Sequence, residues 1–302
     1  PNRPHAQGVR GVARDLAARG LGSLRAEKAE TVPGGFASPI KVVIDPQVAQ
    51  KAPFFSGRVI RGVKNGPSPA WLQKRLTAIG LRPINALVDI TNFFTFDLNR
   101  PLHVFDADKV RGDLIVRPSV AGEEILALDG KTYAFAPGTM IIADENGPES
   151  IAGVMGGEVS GCSEDTVNVF LESAYWDPIA IATVGRALKI NSDARYRFER
   201  GVDPAFTQPG LELATRMILD LCGGEASEIV TAGAVPDTTR SYVLDPARVI
   251  SLVGMDIPEA EQRSTLEALG FRLEGDQAFV PSWRPDVQGS ADLVEEVARI
   301  AS

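Results

Sequence analysis

Apolar positions change their spacing several times along the chain, and each change marks an element. Within residues 4–21, Val9, Val12 and Leu16 recur at helical intervals, which predicts an amphipathic helix. The pattern is lost from Arg25 to Ser38, where Pro33, Gly34 and Gly35 read as a linker. From about Ile40 to Val230 the pattern is mixed. Short β-type runs occur at Lys41–Ile44, Arg58–Val63, Ala86–Ile90, Leu114–Val116, Thr139–Ala143 and Val167–Leu171. Helical spacing interrupts them. Leu72, Leu76 and Ile79 share one face between Pro69 and Gly80. Leu211, Ala214, Ile218 and Leu221 share another between Pro204 and Cys222, stopped by Gly223 and Gly224. Strands outnumber helices and do not alternate with them regularly, so an α+β fold is expected and not a doubly wound sheet.

A second aperiodic stretch, Gly233–Ser241, sets off the C-terminal part. There the pattern reads as a helix (Pro246–Val253), a helix (Glu259–Leu269), a hairpin (Phe271–Val280) and a helix (Asp292–Ile300). That order suggests a winged-helix-like module of about 60 residues. The expected division is therefore 1–38, 39–235 and 241–302.

Composition narrows the functional classes. With 302 residues and 44% apolar content, the chain is long enough for two domains with cores of their own. The net charge of −8 disfavours wrapping in nucleic acid by bulk charge, though a local basic patch is compatible with it. No apolar run approaches the length of a transmembrane helix, and the opening PNRPHAQG lacks a signal-peptide core. Two cysteines, Cys162 and Cys222, exclude a disulfide framework, and His5 and His103 alone exclude a multi-histidine metal site. No membrane association and a reduced cytoplasm are the expectation.

Five places carry candidate chemistry, each with a plainer alternative. His103, in NRPLHVFDAD, either closes a turn after Pro101 or positions a substrate or a water. The glycines of IAGVMGGEVSG make a tight turn between strands or a backbone cradle; no Lys-Ser or Lys-Thr follows them, so they are not a phosphate-binding P-loop. Glu172 ends an apolar run, where it is either solvated or a buried acid that recognises a hydroxyl or amine. ARYRFERGVDP is either a salt-bridge cluster or a phosphate-contacting patch. Asp286, Asp292, Glu295 and Glu296 crowd the last helix. There they form a capping box, Asp292 to Glu295, with Arg299 pairing one of the glutamates, or they hold a cation.

Seven segments in order resemble the β subunit of bacterial phenylalanyl-tRNA synthetases: PNRPHAQGVRGVARDLA, GLRPINALVDITNF, RPLHVFDADK, IAGVMGGEVSG, LESAYWDP, SDARYRFERGVDP and PSWRPDVQGSADLVEEVAR. The resemblance implies an internal piece of a longer chain: the tail of a first module, a mixed-sheet editing module, and a winged-helix-like module. The aminoacylation site would lie elsewhere, on an α subunit. ATP would serve the whole enzyme and not this chain.

In that family the editing module hydrolyses tyrosine wrongly attached to tRNA(Phe). Carried over by motif, the resemblance implies Thr91, Asn92 and His103 as catalytic residues, and Ala152, Gly153, Glu172, Ser192 and Ala194 as the substrate pocket. Glu172 is the natural acceptor for the tyrosine hydroxyl, through a charge-assisted hydrogen bond, while Gly153 and Ala194 leave room for the ring. The resemblance also implies magnesium on Asp286, Asp292, Glu295 and Glu296, shared with the α subunit of an (αβ)₂ heterotetramer. Three departures fall at the tRNA-facing rim. Ser192 stands where threonine is common, Lys189 where glycine is usual, and Arg195-Tyr196 where Ser-His is frequent. A non-catalytic scaffold that only contacts tRNA is the alternative.

Overall fold

A computed structural model describes residues 3–302; Pro1 and Asn2, which open the first of the matching segments, lie outside the described residues. A 3-10 turn (Pro4–Gln7) leads into α1 (Val9–Ala18). Strands β1 (Val42–Ile44) and β2 (Phe54–Arg61) follow, then helices α2 (Ala70–Ala78) and α3 (Ala86–Leu98). Eight strands come next: β3 (His103–Asp106), β4 (Leu114–Pro118), β5 (Glu124–Leu126), β6 (Thr132–Ala134), β7 (Met140–Ala143), β8 (Pro148–Ile151), β9 (Met155–Gly156) and β10 (Asn168–Tyr175). Helices α4 (Pro178–Ala187), α5 (Asp193–Phe198) and α6 (Thr207–Cys222) precede β11 (Glu225–Ala226) and β12 (Val230–Gly233). The chain closes with β13 (Ser241–Val243), α7 (Ala247–Val253), α8 (Glu259–Ala268), β14 (Arg272–Glu274), β15 (Gln277–Phe279) and α9 (Ser290–Ala301). Helices and strands segregate in an α+β arrangement with one parallel pair, β1 with β4, among otherwise antiparallel sheets.

The chain divides into two units, Ala29–Pro236 and the remainder, residues up to Lys28 with Asp237–Ser302. The stretch expected as linker therefore splits. Its second half is held in the larger unit by buried polar groups: Arg58 donates to the Val32 carbonyl and pairs with Glu212, which also accepts from the Val32 N–H at 3.0 Å. A buried guanidinium needs such partners, and the Ser227 carbonyl, which accepts from Arg58 Nε at 2.9 Å, makes a third segment that supplies them.

In the larger unit, one sheet runs β11-β2-β10-β3, with β12 also on β2. Alternation along β10 divides its side chains between two cores. Val169 and Leu171 face α3 and α6 in a cluster with Leu87, Ile90, Phe94, Leu211 and Ile218. Phe170 and Ala174 face the opposite cluster, with Phe55, Phe105 and Trp176. That second cluster is shared with the sheet β1-β4-β7-β8-β9.

Two expectations fail here. Ala86–Ile90 is not a strand but the start of α3. The Asn85 side chain accepts from the Val88 N–H and caps the helix, and four of the five residues are buried because both the sheet and α6 cover it. The continuous apolar run of a covered helix imitates that of a buried strand. Second, α1 forms as expected, but Val9, Val12 and Leu16 point outward and are exposed. The inward contacts use small residues instead. A Cβ on Gly11 would stand 1.8 Å from the His5 carbonyl oxygen, and Ala18 packs on the C-terminal core.

In the smaller unit the expected two-stranded ribbon gains a third strand, giving the order β13-β15-β14 against α7, α8 and α9. Arg299 of α9 bonds Asp15 of α1 at 2.9 Å, and the Arg14 guanidinium lies 4.3 Å from the Trp283 ring centroid. Cys162 and Cys222 are both free. Among the described residues no helix is long and apolar enough to cross a membrane.

Candidate functional site

His103 opens β3 and Glu172 lies in β10, and the two are register partners across the antiparallel pair. Since Phe170 and Ala174 face the second cluster, shared with the sheet β1-β4-β7-β8-β9, so does Glu172, and the side chains of register partners share a face. They line a cleft completed by Pro101 and Leu102, Ser150 of β8, the Gly153–Gly156 turn, and Ala194 and Phe198 of α5. Buried Arg100 secures the approach to β3 by donating to the Ala174 carbonyl and the Thr207 hydroxyl.

Among the described residues, no lysine or arginine lines the cleft. Oε2 of Glu172 and Nε2 of His103 are buried without hydrogen-bond partners. Burial pushes the Glu172 carboxyl up to about 8 and the His103 imidazole down to about 4. Burial therefore favours the neutral form of each group. In its neutral form Glu172 can donate a hydrogen bond as well as accept one, unlike the ionised acceptor expected from the sequence. The alternative of a solvated Glu172 is excluded by its burial.

Glycines shape the cleft in two ways. A Cβ on Gly156 would stand 2.3 Å from Cε1 and 2.7 Å from Nε2 of His103, so the imidazole lies against bare backbone. Gly153 has φ +68°, and a Cβ there would meet Ile181 and Trp176, not the cleft. Its smallness thus serves the turn and the core. Room for a ligand ring on its account, as expected from the sequence, is not what the geometry provides. The cavity itself measures about 60 Å³. A cavity of about 150 Å³ holds benzene, so an aromatic side chain enters only as the lining gives way. Met155, half-buried and unbranched, is the most adaptable wall.

Of the residues anticipated from sequence, His103, Gly153, Glu172 and Ala194 come together here. Thr91, Asn92, Ala152 and Ser192 do not line the cleft. Thr91 and Asn92 sit on α3, which packs into the other core, and the Thr91 hydroxyl donates to the Val88 carbonyl within its own helix. Ala152 is core. The Ser192 hydroxyl caps α5, accepting from the Arg195 N–H, and donates to the Val154 carbonyl. It fixes the turn against α5 from outside the cleft. Ser150, Met155 and Phe198 were not anticipated. Only alternation along β8 and the helical step from Ala194 to Phe198 could have pointed to Ser150 and Phe198.

ARYRFERG forms the salt-bridge cluster: Arg195 with Glu199 at 3.0 Å, Arg200 with Glu199 at 2.7 Å, and Arg197 with Asp193 at 3.3 Å. At the other end of the chain, Arg284 bonds both Asp286, at 2.7 Å, and the buried Glu296. Arg299 also pairs with Glu296. The Asp292 carboxylate accepts from the Gln288 N–H, and Glu295 is exposed. Among the described residues, no three acidic, histidine or cysteine groups converge as a metal site requires. Arg284 occupies the place between two of the acids that a divalent cation would need, so the four do not fit magnesium as they stand.

The B3/4 domain family matches residues 51–223, and the tRNA synthetase B5 domain matches residues 242–302. The chain is 71% identical to the phenylalanine–tRNA ligase beta subunit of Cereibacter sphaeroides and 69% identical to that of Ruegeria pomeroyi, over its whole length in both cases. It is 58% identical to that of Paramagnetospirillum magneticum over 99% of its length. It spans 38% of the length of each of these relatives. A solved N-terminal fragment of the Pyrococcus horikoshii phenylalanyl-tRNA synthetase beta subunit aligns at a TM-score of 0.48 and 15% identity, over 99% of this chain and 84% of that one. The chain belongs to the B3/4 domain family and carries a tRNA synthetase B5 domain after it.

Proposed function

We propose that this chain is part of a phenylalanine–tRNA ligase β subunit, and that its B3/4 cleft removes tyrosine misattached to tRNA(Phe). The observation that carries this reading is the pair of unpartnered buried polar atoms, Glu172 Oε2 and His103 Nε2, in a cleft lined by no lysine or arginine among the described residues. Buried polar groups without partners are costly, and a ligand that satisfies both gains what the empty cleft lacks.

The discrimination follows from one hydroxyl. A pocket built for phenylalanine rejects tyrosine incompletely, whereas a cleft that must satisfy Glu172 rejects phenylalanine. The phenol fits a neutral Glu172 because each can donate and accept. The chemistry is ester hydrolysis. Water oxygen adds to the carbonyl carbon, the bond from that carbon to the ribose oxygen breaks, and that oxygen takes up the proton. Free tyrosine and uncharged tRNA leave. His103, with its pKa near 4, is too weak a base to abstract the proton at pH 7 and instead orients the water through Nε2. The ester is already activated, so positioning supplies most of what is needed.

The same reading carries the rest of the enzyme with it: an α subunit in an (αβ)₂ assembly, binding of tRNA(Phe), ATP use by the whole ligase, and a cytoplasmic setting. Magnesium at the C-terminal acids would require Arg284 to release Asp286 and Glu296, so no step is routed through it. The test is deacylation of Tyr-tRNA(Phe) against Phe-tRNA(Phe) by the chain. Selective release of tyrosine supports the proposal. Tight tRNA binding without release favours the scaffold reading, for which the altered rim residues Lys189, Arg195 and Tyr196 speak.

A further inference from the structure

Residues 186–200 hold five bases, Arg186, Lys189, Arg195, Arg197 and Arg200, against two acids, Asp193 and Glu199, in a chain whose net charge is −8. The segment covers the end of α4, the turn after it and all of α5. Arg186 and Lys189 are exposed. Arg197 is buried, and Arg195 and Arg200 both pair with Glu199. Among the described residues, the unpaired exposed charge of the segment is therefore that of Arg186 and Lys189. Its one exposed aromatic residue is Tyr196, with 42% of its surface accessible. The Arg200 guanidinium lies 3.7 Å from the Tyr196 ring centroid and donates to the Tyr196 carbonyl at 2.8 Å, while Glu199 holds it from the other side. One ring face is thus covered by a fixed cation while the residue as a whole stays exposed.

A solvent-facing aromatic backed by an arginine, with exposed bases in the same segment, is how single-stranded nucleic acid is held without reading its sequence. Position specifies the role further. Ala194 and Phe198 face the cleft from α5, Tyr196 lies between them on the other side of that short helix, and Arg200 follows in the turn after its end, bonded back to the Tyr196 carbonyl. The pair therefore lies beside the cleft and not inside it. Resting on the hydrolytic reading above, we propose that Tyr196 and Arg200 form a stacking platform for the unpaired nucleotides that precede the esterified 3′ end of the RNA substrate. Tyr196 is a positioning residue: it holds the strand so that the ester reaches the cleft.

The experiment titrates the full chain, at low salt, into a fluorescein-labelled single-stranded oligoribonucleotide ending in CCA and follows anisotropy. Tyr196→Ala is expected to weaken binding about tenfold, in the range of one lost base–aromatic stack. Tyr196→Phe, which keeps the ring, should bind within twofold of the unmodified chain. Binding that is undetectable in the unmodified chain, equal for Tyr196→Ala, or equally weakened by Tyr196→Phe overturns the platform. Deacylation of Tyr-tRNA(Phe) is measured alongside: Tyr196→Ala should raise KM and leave kcat unchanged. Glu172→Ala serves as the separating control, since it should bind the oligonucleotide normally. If no variant deacylates yet the Tyr196 series still orders the binding, the hydrolytic reading fails and the platform stands.

Discussion

Glu172 and His103 are opposite one another in register on two antiparallel strands, and each buries a polar atom that nothing in the chain satisfies. Two such atoms side by side in a packed unit cost stability, and a fold tolerates that cost where a ligand supplies the missing partners. The neighbouring Gly156 makes the arrangement possible by leaving its own backbone clear beneath the imidazole.

Replacing the acid separates shape from hydrogen bonding. Glu172→Ala should lower the preference for Tyr-tRNA(Phe) over Phe-tRNA(Phe) by about 1 kcal/mol, the scale of a neutral hydrogen bond. Glu172→Gln, an isostere of the neutral acid, should retain most of the preference at pH 7. A Gln variant as unselective as the Ala variant would show that the ionised carboxylate is the acting form. The ratio of kcat/KM values for the two esters is the measurement.

Stability should depend on pH through the same two residues. The folded Glu172 carboxyl titrates at about 8, above its ordinary 4.5, so the folded chain holds this proton the more tightly. Its contribution is fully present below pH 4.5 and is lost as pH rises through 8. His103, lowered from 6.5 to about 4, contributes above pH 6.5 and loses that contribution as pH falls through 4. Thermal unfolding between pH 4 and 9 should show Glu172→Gln gaining on the unmodified chain steadily from pH 5 to pH 8. A constant difference across that window contradicts a buried, uncompensated carboxyl.

Gly156→Ala places a methyl group 2.3 Å from Cε1 of His103, and the imidazole must move. Hydrolysis of both esters should fall together, by tenfold or more, because a positioned water tolerates little displacement. Unfolding temperature should change less than in Gly153→Ala, where φ of +68° and contacts with Trp176 and Ile181 add strain in the core. Ester hydrolysis at the unmodified rate would place His103 outside the mechanism.

Ala194→Trp tests the α5 wall. Ala194 is half-buried at the cleft, and a large side chain there should fill the cavity of about 60 Å³ and abolish release of tyrosine. Circular dichroism should be unchanged, since a cleft wall accepts bulk that a closed core does not. Clearance at the original rate would show that the substrate does not enter between Ala194 and Glu172.

Arg284 should matter to the smaller unit as a structural cation. Arg284→Met leaves Glu296 buried with Arg299 alone and frees Asp286, and breaking such a buried pair costs about 3–5 kcal/mol. Millimolar magnesium should leave the unfolding temperature of the unmodified chain unchanged, because stabilisation requires ligand well above its dissociation constant. A large magnesium-dependent rise, lost in Glu295→Gln/Glu296→Gln, would show that the acids assemble a site despite Arg284.

Spacing alone was sufficient for the α+β class, the helices α2, α6 and α8, and the order of the C-terminal module, because each has a local cause in periodicity and terminating glycines. Motif agreement went further and pointed to His103, Gly153, Glu172 and Ala194 before any of them was close to another. What neither could supply was environment. Whether Glu172 is charged depends on which neighbours β3, β8, β9 and α5 bring to it, and none of those is local in sequence. The outward turn of Val9, Val12 and Leu16, the helical state of Ala86–Ile90, and the engagement of Asp286 and Glu296 by Arg284 were decided in the same way. Periodicity reports that a residue has an apolar or acidic side chain at a given phase of an element. Only the tertiary structure sets what that phase faces, because burial and charge compensation are sums over residues far apart in the chain.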